Sequence, residues 1–249
     1  MLPKINRDLK YKTITLPFSN KTVGLRPFTF GEEKNYLISI GNKKDERIFY
    51  EKTKSLIYTC LAEDDKHVLD SASKFDFKYL CKELRRISKG STIELREKCS
   101  NEKCKFSFDL VQLDLNVDYK IKIRETNEIK VSDKLVIYIE DLPLAKEQEI
   151  ASRYTNSTTN LDEVNKFEIF YDFLVASIVK VVYDGEVYEE FTEVEAADLL
   201  DNLAIDENVD IVDAYSKSMN SFEIFKKIKC PMCSEETTIN IDSLGFFLI

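Results

Sequence analysis

A chain of 249 residues with 43% hydrophobic and 33% charged residues, but only 6 glycines and 5 prolines, has the composition of a folded globular protein, not of a disordered or collagen-like one. Acidic residues outnumber basic ones 45 to 36, and a formal charge of −9 argues against nucleic acid and anionic membrane, leaving a protein or a metal as partner. The length suits two units of about 120 residues, each able to bury its own core.

The opening MLPKINRDLKYKTITLPFS has no apolar signal-type core, and no window reaches about 18 uninterrupted apolar residues. The most apolar run, FLVASIVKVVY at 173–183, is broken by Lys180. The expectation is a cytosolic chain without an integral membrane segment, where closely spaced reduced cysteines hold metals more often than they form disulfides.

TITLPF and KTVGLRPF alternate as two short strands joined at Ser19-Asn20. Thr29 with Glu32 three residues on predicts a capping box and a helix whose apolar side is Tyr36, Leu37 and Ile40. Residues 46–62 put Phe49, Thr53, Leu56, Ile57, Cys60 and Leu61 on one helical face. After the acidic break EDDKHVLD, FDFKYLCKELRRISKG places Phe77, Leu80, Cys81, Leu84 and Ile87 on a stripe that ends at a C-capping Gly90. STIELREK, a first cysteine pair and the strand FSFDLVQLDL follow.

From about residue 130 the order repeats at an offset of about 116 residues, which predicts two similar units. KLVIYIEDLPLAKEQEIA is a strand leading through Pro143 into a helix, and a further helix near 160–180 carries Phe167, Phe170, Tyr171, Leu174 and Ile178. Tyr183-Asp184-Gly185 suits a type I′ hairpin turn. Thr192 and Glu195 predict another capping box, with Ala196, Ala197, Leu200 and Leu203 as the apolar side. An acidic insertion, IDENVDIVDAYSKSMNS, then precedes FEIFKKIKCPMC and the strand TTINIDSL. The fold class expected is α+β, with two pseudo-repeated, mainly helical units at 1–118 and 119–249, each closing in a cysteine-bearing turn and strand.

Cys99 and Cys104, with four residues between them, and Cys230 and Cys233, with two between them, supply four soft thiolates, the usual donors for tetrahedral zinc. The long gap between the pairs means that one shared structural site requires the two to meet in space. Free thiols at turns are the alternative, and a redox pair is a third reading; that motif would open a helix, whereas Cys230 and Cys233 lead into a strand. Cys60 and Cys81 lie on apolar helix faces and read as core. The single histidine, His67, sits in a polar turn and is the one residue any His-based hydrolytic site would have to use, which argues against such sites, and no Gly-rich phosphate loop is present. No catalytic residue is expected. The acidic groups Glu63, Asp64 and Asp65, and Asp206, Glu207 and Asp210, read as solvated turns. Lys82, Arg85, Arg86, Lys89, Arg96 and Lys98 precede the first cysteine pair, and Lys226, Lys227 and Lys229 the second; Glu83, Glu94 and Glu97 interrupt the first cluster, so a zinc-centred nucleic-acid patch is the lesser reading. The terminal LGFFLI is either a strand tucked into the later unit or a hook for another protein.

LPFSNKTVGLRPFTFGEEKNYLIS, DFKYLCKELRRISKGSTIELREKCSNEKCKFSFDL and CPMCSEETTINIDSLGFF together resemble the baseplate hub assembly proteins of T-even-like contractile-tailed bacteriophages, a group of hub assembly catalysts and hub subunits. Its R-P-F-x-x-x-E-E element falls on Arg26, Pro27, Phe28, Glu32 and Glu33. The resemblance implies a non-enzymatic morphogenesis factor, or a structural hub subunit, acting on other phage hub proteins. The setting it implies is the infected bacterial cytoplasm, with peripheral contact at the inner membrane. It brings no catalytic residues.

Overall fold

In KTIT and TVGL the inward residues Ile14, Val23 and Leu25 are buried, so the segments pair as an antiparallel hairpin of β1 (Lys12–Thr15) and β2 (Thr22–Leu25), with Ile14 opposite Val23. Asn20, at φ 56°, takes the left-handed turn position that Asn tolerates. The computed structural model describes residues 10–41, 46–154 and 163–241; LGFFLI lies outside them.

Helix α1 (Phe30–Ile40) opens with both halves of the expected capping box, since Thr29 Oγ1 accepts the Glu32 N–H and the Glu32 carboxylate accepts the Thr29 N–H at 2.7 Å. In α2 (Glu46–Cys60) the predicted face is inside: Thr53, Ile57 and Cys60 are fully buried, and the Thr53 and Tyr36 hydroxyls meet at 3.1 Å. EDDKHVLD is more ordered than a break. It forms a 3₁₀ turn (Glu63–Asp65) and a short helix, α3 (Lys66–Asp70), because Val68 and Leu69 bury together. Helix α4 (Lys74–Lys89) is capped by Ser73 and buries Phe77, Leu80, Cys81 and Leu84, each large apolar side chain contributing about 1.5–3 kcal/mol. Gly90, at φ 93°, ends it as expected.

Asp76, on the first turn of α4 and 1% exposed, accepts the N–H groups of Phe18 (3.1 Å) and Ser19 (3.0 Å), fastening the β1–β2 loop to the helix. Asp76→Ala strips both donors of their acceptor and is expected to lower stability by about 2 kcal/mol in urea denaturation, with Asp76→Asn recovering part of it.

Strands β3 (Thr92–Lys98) and β4 (Ser107–Asp114) form a hairpin with a bulge between Leu95 and Glu97. A short strand, β5 (Tyr119–Lys122), follows. Next come β6 (Glu128–Lys130), β7 (Leu135–Ile139), α5 (Leu144–Tyr154), α6 (Glu163–Ser177), β8 (Ile178–Tyr183), β9 (Glu186–Tyr188), α7 (Glu193–Asp201), α8 (Ile205–Ser218), β10 (Ser221–Lys229) and β11 (Glu236–Asn240). The fold is α+β.

The chain divides into two compact units, one of residues 1–122 with 221–249, the other Ile123–Asn220. Local patterning alone places the boundary at 118 and the second cysteine pair in the later unit. The difference has one cause: β5 pairs antiparallel with β10, Lys122 opposite Ser221, and local patterning cannot show a partner about a hundred residues away. The first unit therefore holds three small sheets, β1–β2, β3–β4 and β11–β10–β5, and the second is inserted between neighbouring strand ends.

The inserted unit is a four-stranded antiparallel sheet, β6–β7–β8–β9, whose buried Ile129, Leu135, Ile137 and Val181 pack with Leu174, Leu200 and Ile211 from the helices. Asp184 (φ 51°) and Gly185 (φ 87°) make the predicted tight turn, and Thr192 with Glu195 makes the second capping box. The acidic insertion is helix α8, held by Ile211 and Tyr215, one turn apart and buried. Within this unit Asp141 receives both the Arg124 guanidinium and the Asn220 amide, and Asn220 Oδ1 accepts the Arg124 N–H at 2.6 Å, so its two chain ends are clasped together.

Candidate metal centre

Two hairpins of the first unit end in cysteines. In β3–β4 the ladder closes with the Cys99 N–H donating to Phe106 O at 3.1 Å, and the turn is tightened by the Cys104 N–H on Asn101 O at 2.8 Å. In β10–β11 the Cys230 N–H donates to Glu235 O at 2.8 Å and the Ser234 N–H returns to Cys230 O at 2.9 Å, with Ser234 left-handed at φ 63°. These turns expose backbone N–H groups to the sulfurs, as thiolates require.

The four sulfurs lie within 4.8 Å of one another. Cys99 faces Cys233 at 3.6 Å and Cys104 faces Cys230 at 3.8 Å, so each close pair spans the two hairpins. A tetrahedron with metal–sulfur bonds of about 2.3 Å has sulfur–sulfur edges of about 3.8 Å. The donor set and its spacing therefore fit a four-coordinate thiophilic ion with no ligand position left over. Cys99 and Cys230 are buried, Cys104 is half-buried and Cys233 exposed.

The thiols differ in acidity. Burial opposes ionisation of Cys230, but the N–H groups of Cys233 and Met232 and the neighbouring thiols outweigh it and bring Cys230 down to about 7. For Cys233, the Glu235 N–H favours the thiolate, yet partial desolvation of its sulfur and the three other sulfurs push it up to about 12. Four thiolates this close repel one another unless a cation sits among them.

The hairpins also touch without any ion. The Ser100 N–H donates to Thr237 Oγ1 at 3.1 Å, and Thr237 is 4% exposed. The cysteine spacing gave no sign of this contact. Thr237→Val leaves that N–H without its acceptor and is expected to cost about 1–2 kcal/mol in thermal or urea unfolding while removing no sulfur.

Residues 9–249 match the family model described as T4 bacteriophage base plate protein. The chain belongs to that family. No curated protein matches it, and no solved structure does.

In this base plate family member, several of the basic residues before the cysteine pairs are engaged within the chain. Lys82 is 2% exposed, bonded to Glu83 at 2.8 Å, with its ammonium 4.5 Å from the Tyr79 ring centre and 4.0 Å from that of Tyr119. Arg86 meets the other Glu83 oxygen at 2.6 Å, Arg85 is buried and donates to Gly90 O and Thr92 O, and Lys89 pairs with Glu33. Lys226 reaches Gln112 O and Asp118, leaving Arg96, Lys98 and Lys229 outside. Arg26 grips Glu32 through two bonds (2.6 and 3.0 Å) and also donates to Thr59 O, so the R-P-F-x-x-x-E-E element ties the entry of α1 to the end of α2. Cys60 and Cys81 are core thiols as read, and burial pushes Cys60 up to about 12. His67 is exposed, and Asp206, Glu207 and Asp210 lie on the exposed start of α8.

Proposed function

We propose that this protein is a non-enzymatic morphogenesis factor for the central hub of a phage baseplate, acting in the cytoplasm of the infected bacterium by binding other hub proteins, with Cys99, Cys104, Cys230 and Cys233 holding one structural zinc. The family match across 9–249 carries the baseplate role. The hub-specific part draws on the three sequence stretches quoted above. For the metal, the support is the four-thiol geometry, which leaves no position for a substrate or an activated water.

When bound, zinc would supply a cross-link and not a reaction. The residues around it do the rest. Ser100 and Thr237 bring the two hairpins into contact, β10 carries Cys230 into the same sheet as β5, and α4 packs on β10 through Tyr79 against Phe222, ring centres 5.8 Å apart. A surface made rigid in this way binds a partner with less ordering cost. The described helices include none long and apolar enough to cross a membrane.

Co-expression with candidate hub components tests the reading. Co-purification with a hub protein, together with absence of this chain from finished particles, is the expected result for an assembly factor. Stoichiometric retention in the particle points instead to a structural subunit, and failure to bind any hub component overturns both.

A further inference from the structure

The inserted unit, Ile123–Asn220, has 23 acidic and 8 basic residues, a net −15, while the rest of the chain is net +6. Residues 184–216 contain 12 Asp or Glu and no Lys or Arg. Between α6 and α7 this unit has an open groove of about 260 Å³ lined by Arg153, Tyr171, Asp172, Val175, Val194 and Asp198, among others. Exposed apolar side chains stand in it and beside it. Phe167, 59% exposed, stacks on Tyr171 with ring centres 6.3 Å apart and planes 22° from parallel, and Val194 is 69% exposed.

We infer that this groove docks a basic segment of a partner protein, placing an Arg or Lys side chain between Asp172 and Asp198 with its aliphatic stem against Phe167 and Val194. The inference deepens the protein-binding reading above and rests on it. Asp198 makes no hydrogen bond or ion pair through its carboxylate among the described residues. Burial first, then the carboxylates of Asp201, Asp172 and Asp198, hold the Tyr171 hydroxyl well above its ordinary range. The chain supplies its own precedent in Arg153, which lies along the groove 3.5 Å from Asp172. A long cationic side chain suits such a site because its stem covers apolar surface while its head meets carboxylates and an aromatic face. Phosphate-bearing partners are repelled by the same charges.

The test uses the full chain and a labelled peptide of Arg, Leu and Ser, beside its Glu-for-Arg counterpart, at moderate salt. Binding of the basic peptide alone is expected, with carbodiimide cross-links of an otherwise identical Lys-containing peptide concentrated on Asp172 and Asp198. Val194→Lys with Asp198→Lys, both at exposed positions, is expected to weaken binding about tenfold with unchanged circular dichroism and melting. Equal binding by that variant, or cross-links centred on 206–213, overturns the proposal. Self-association of the native chain that the variant abolishes assigns the groove to a second copy and overturns it too. Hub proteins captured equally well by the native chain and the variant remove the groove alone, whereas capture by neither removes the assembly reading.

Discussion

Cys230→Ser is expected to abolish zinc retention and to lower the thermal midpoint by about 10 °C, a loss large enough to separate the two cysteine hairpins while the inserted unit stays folded. Cys230 is the choice because it is 1% exposed, lies at the end of β10 and is the sulfur best supplied with N–H donors. Cys60→Ala is the control: it removes an equally buried thiol from the α2 face and is expected to keep the metal. Acid should reproduce the loss. Protons and metal compete for the same sulfurs, so affinity falls as pH falls, and a dye that reports free zinc should respond progressively on the acid side of neutrality. Protein purified without chelator that carries well below one zinc per chain, or that melts identically as Cys230→Ser, sinks the site.

What could be read from sequence was what neighbouring residues decide among themselves. Both capping boxes, Thr29 with Glu32 and Thr192 with Glu195, stand where three-residue spacing put them, and the Asp184-Gly185 turn and the Gly90 cap rest on backbone freedom that residue type alone announces. The joining of the two cysteine pairs came from chemistry, since two thiolates make half a site and four make a whole one. Patterning failed where a long-range partner overrides local composition. β5 is a strand because β10 lies beside it, α8 is a helix because Ile211 and Tyr215 bury under an otherwise acidic segment, and the second cysteine pair joins the first unit through that same β5–β10 pairing. Lys82 is the sharpest case. A lysine in a charged helix reads as solvated, and only Tyr119, brought in by β5, turns it into a buried group.

Glu83→Gln is expected to cost about 3–5 kcal/mol, and Lys82→Met no more than about 1 kcal/mol, although each removes one member of the same buried pair. The asymmetry follows from the contacts. Glu83, 3% exposed, is the hub: one oxygen takes the Lys82 ammonium at 2.8 Å and the other takes Arg86 at 2.6 and 2.9 Å. Losing its charge leaves Lys82 buried with two aromatic rings and no counter-ion. Losing Lys82 leaves Glu83 still paired with Arg86, and a methionine fills the slot between Tyr79 and Tyr119 with favourable sulfur–ring contacts. The pH dependence carries the same signature. Burial disfavours the Glu83 carboxylate, but Arg86 and Lys82 outweigh it and hold its pKa below the ordinary carboxylate value. A depressed folded-state pKa gives stability that is present above the unfolded value and lost as pH falls through the folded one, so native stability should decline in acid by a component that Glu83→Gln lacks. Urea titrations of the native chain and both variants, at neutral pH and again in the acid range, measure this directly. The pair lies where α4 packs on β5 and β10, the sheet that carries Cys230 to its turn, so Glu83→Gln should also loosen the four-cysteine cluster while Lys82→Met leaves it intact. Equal costs for the two substitutions would mean that Glu83 is not the hub of the junction and that the Arg86 contact does not hold it once Lys82 is gone.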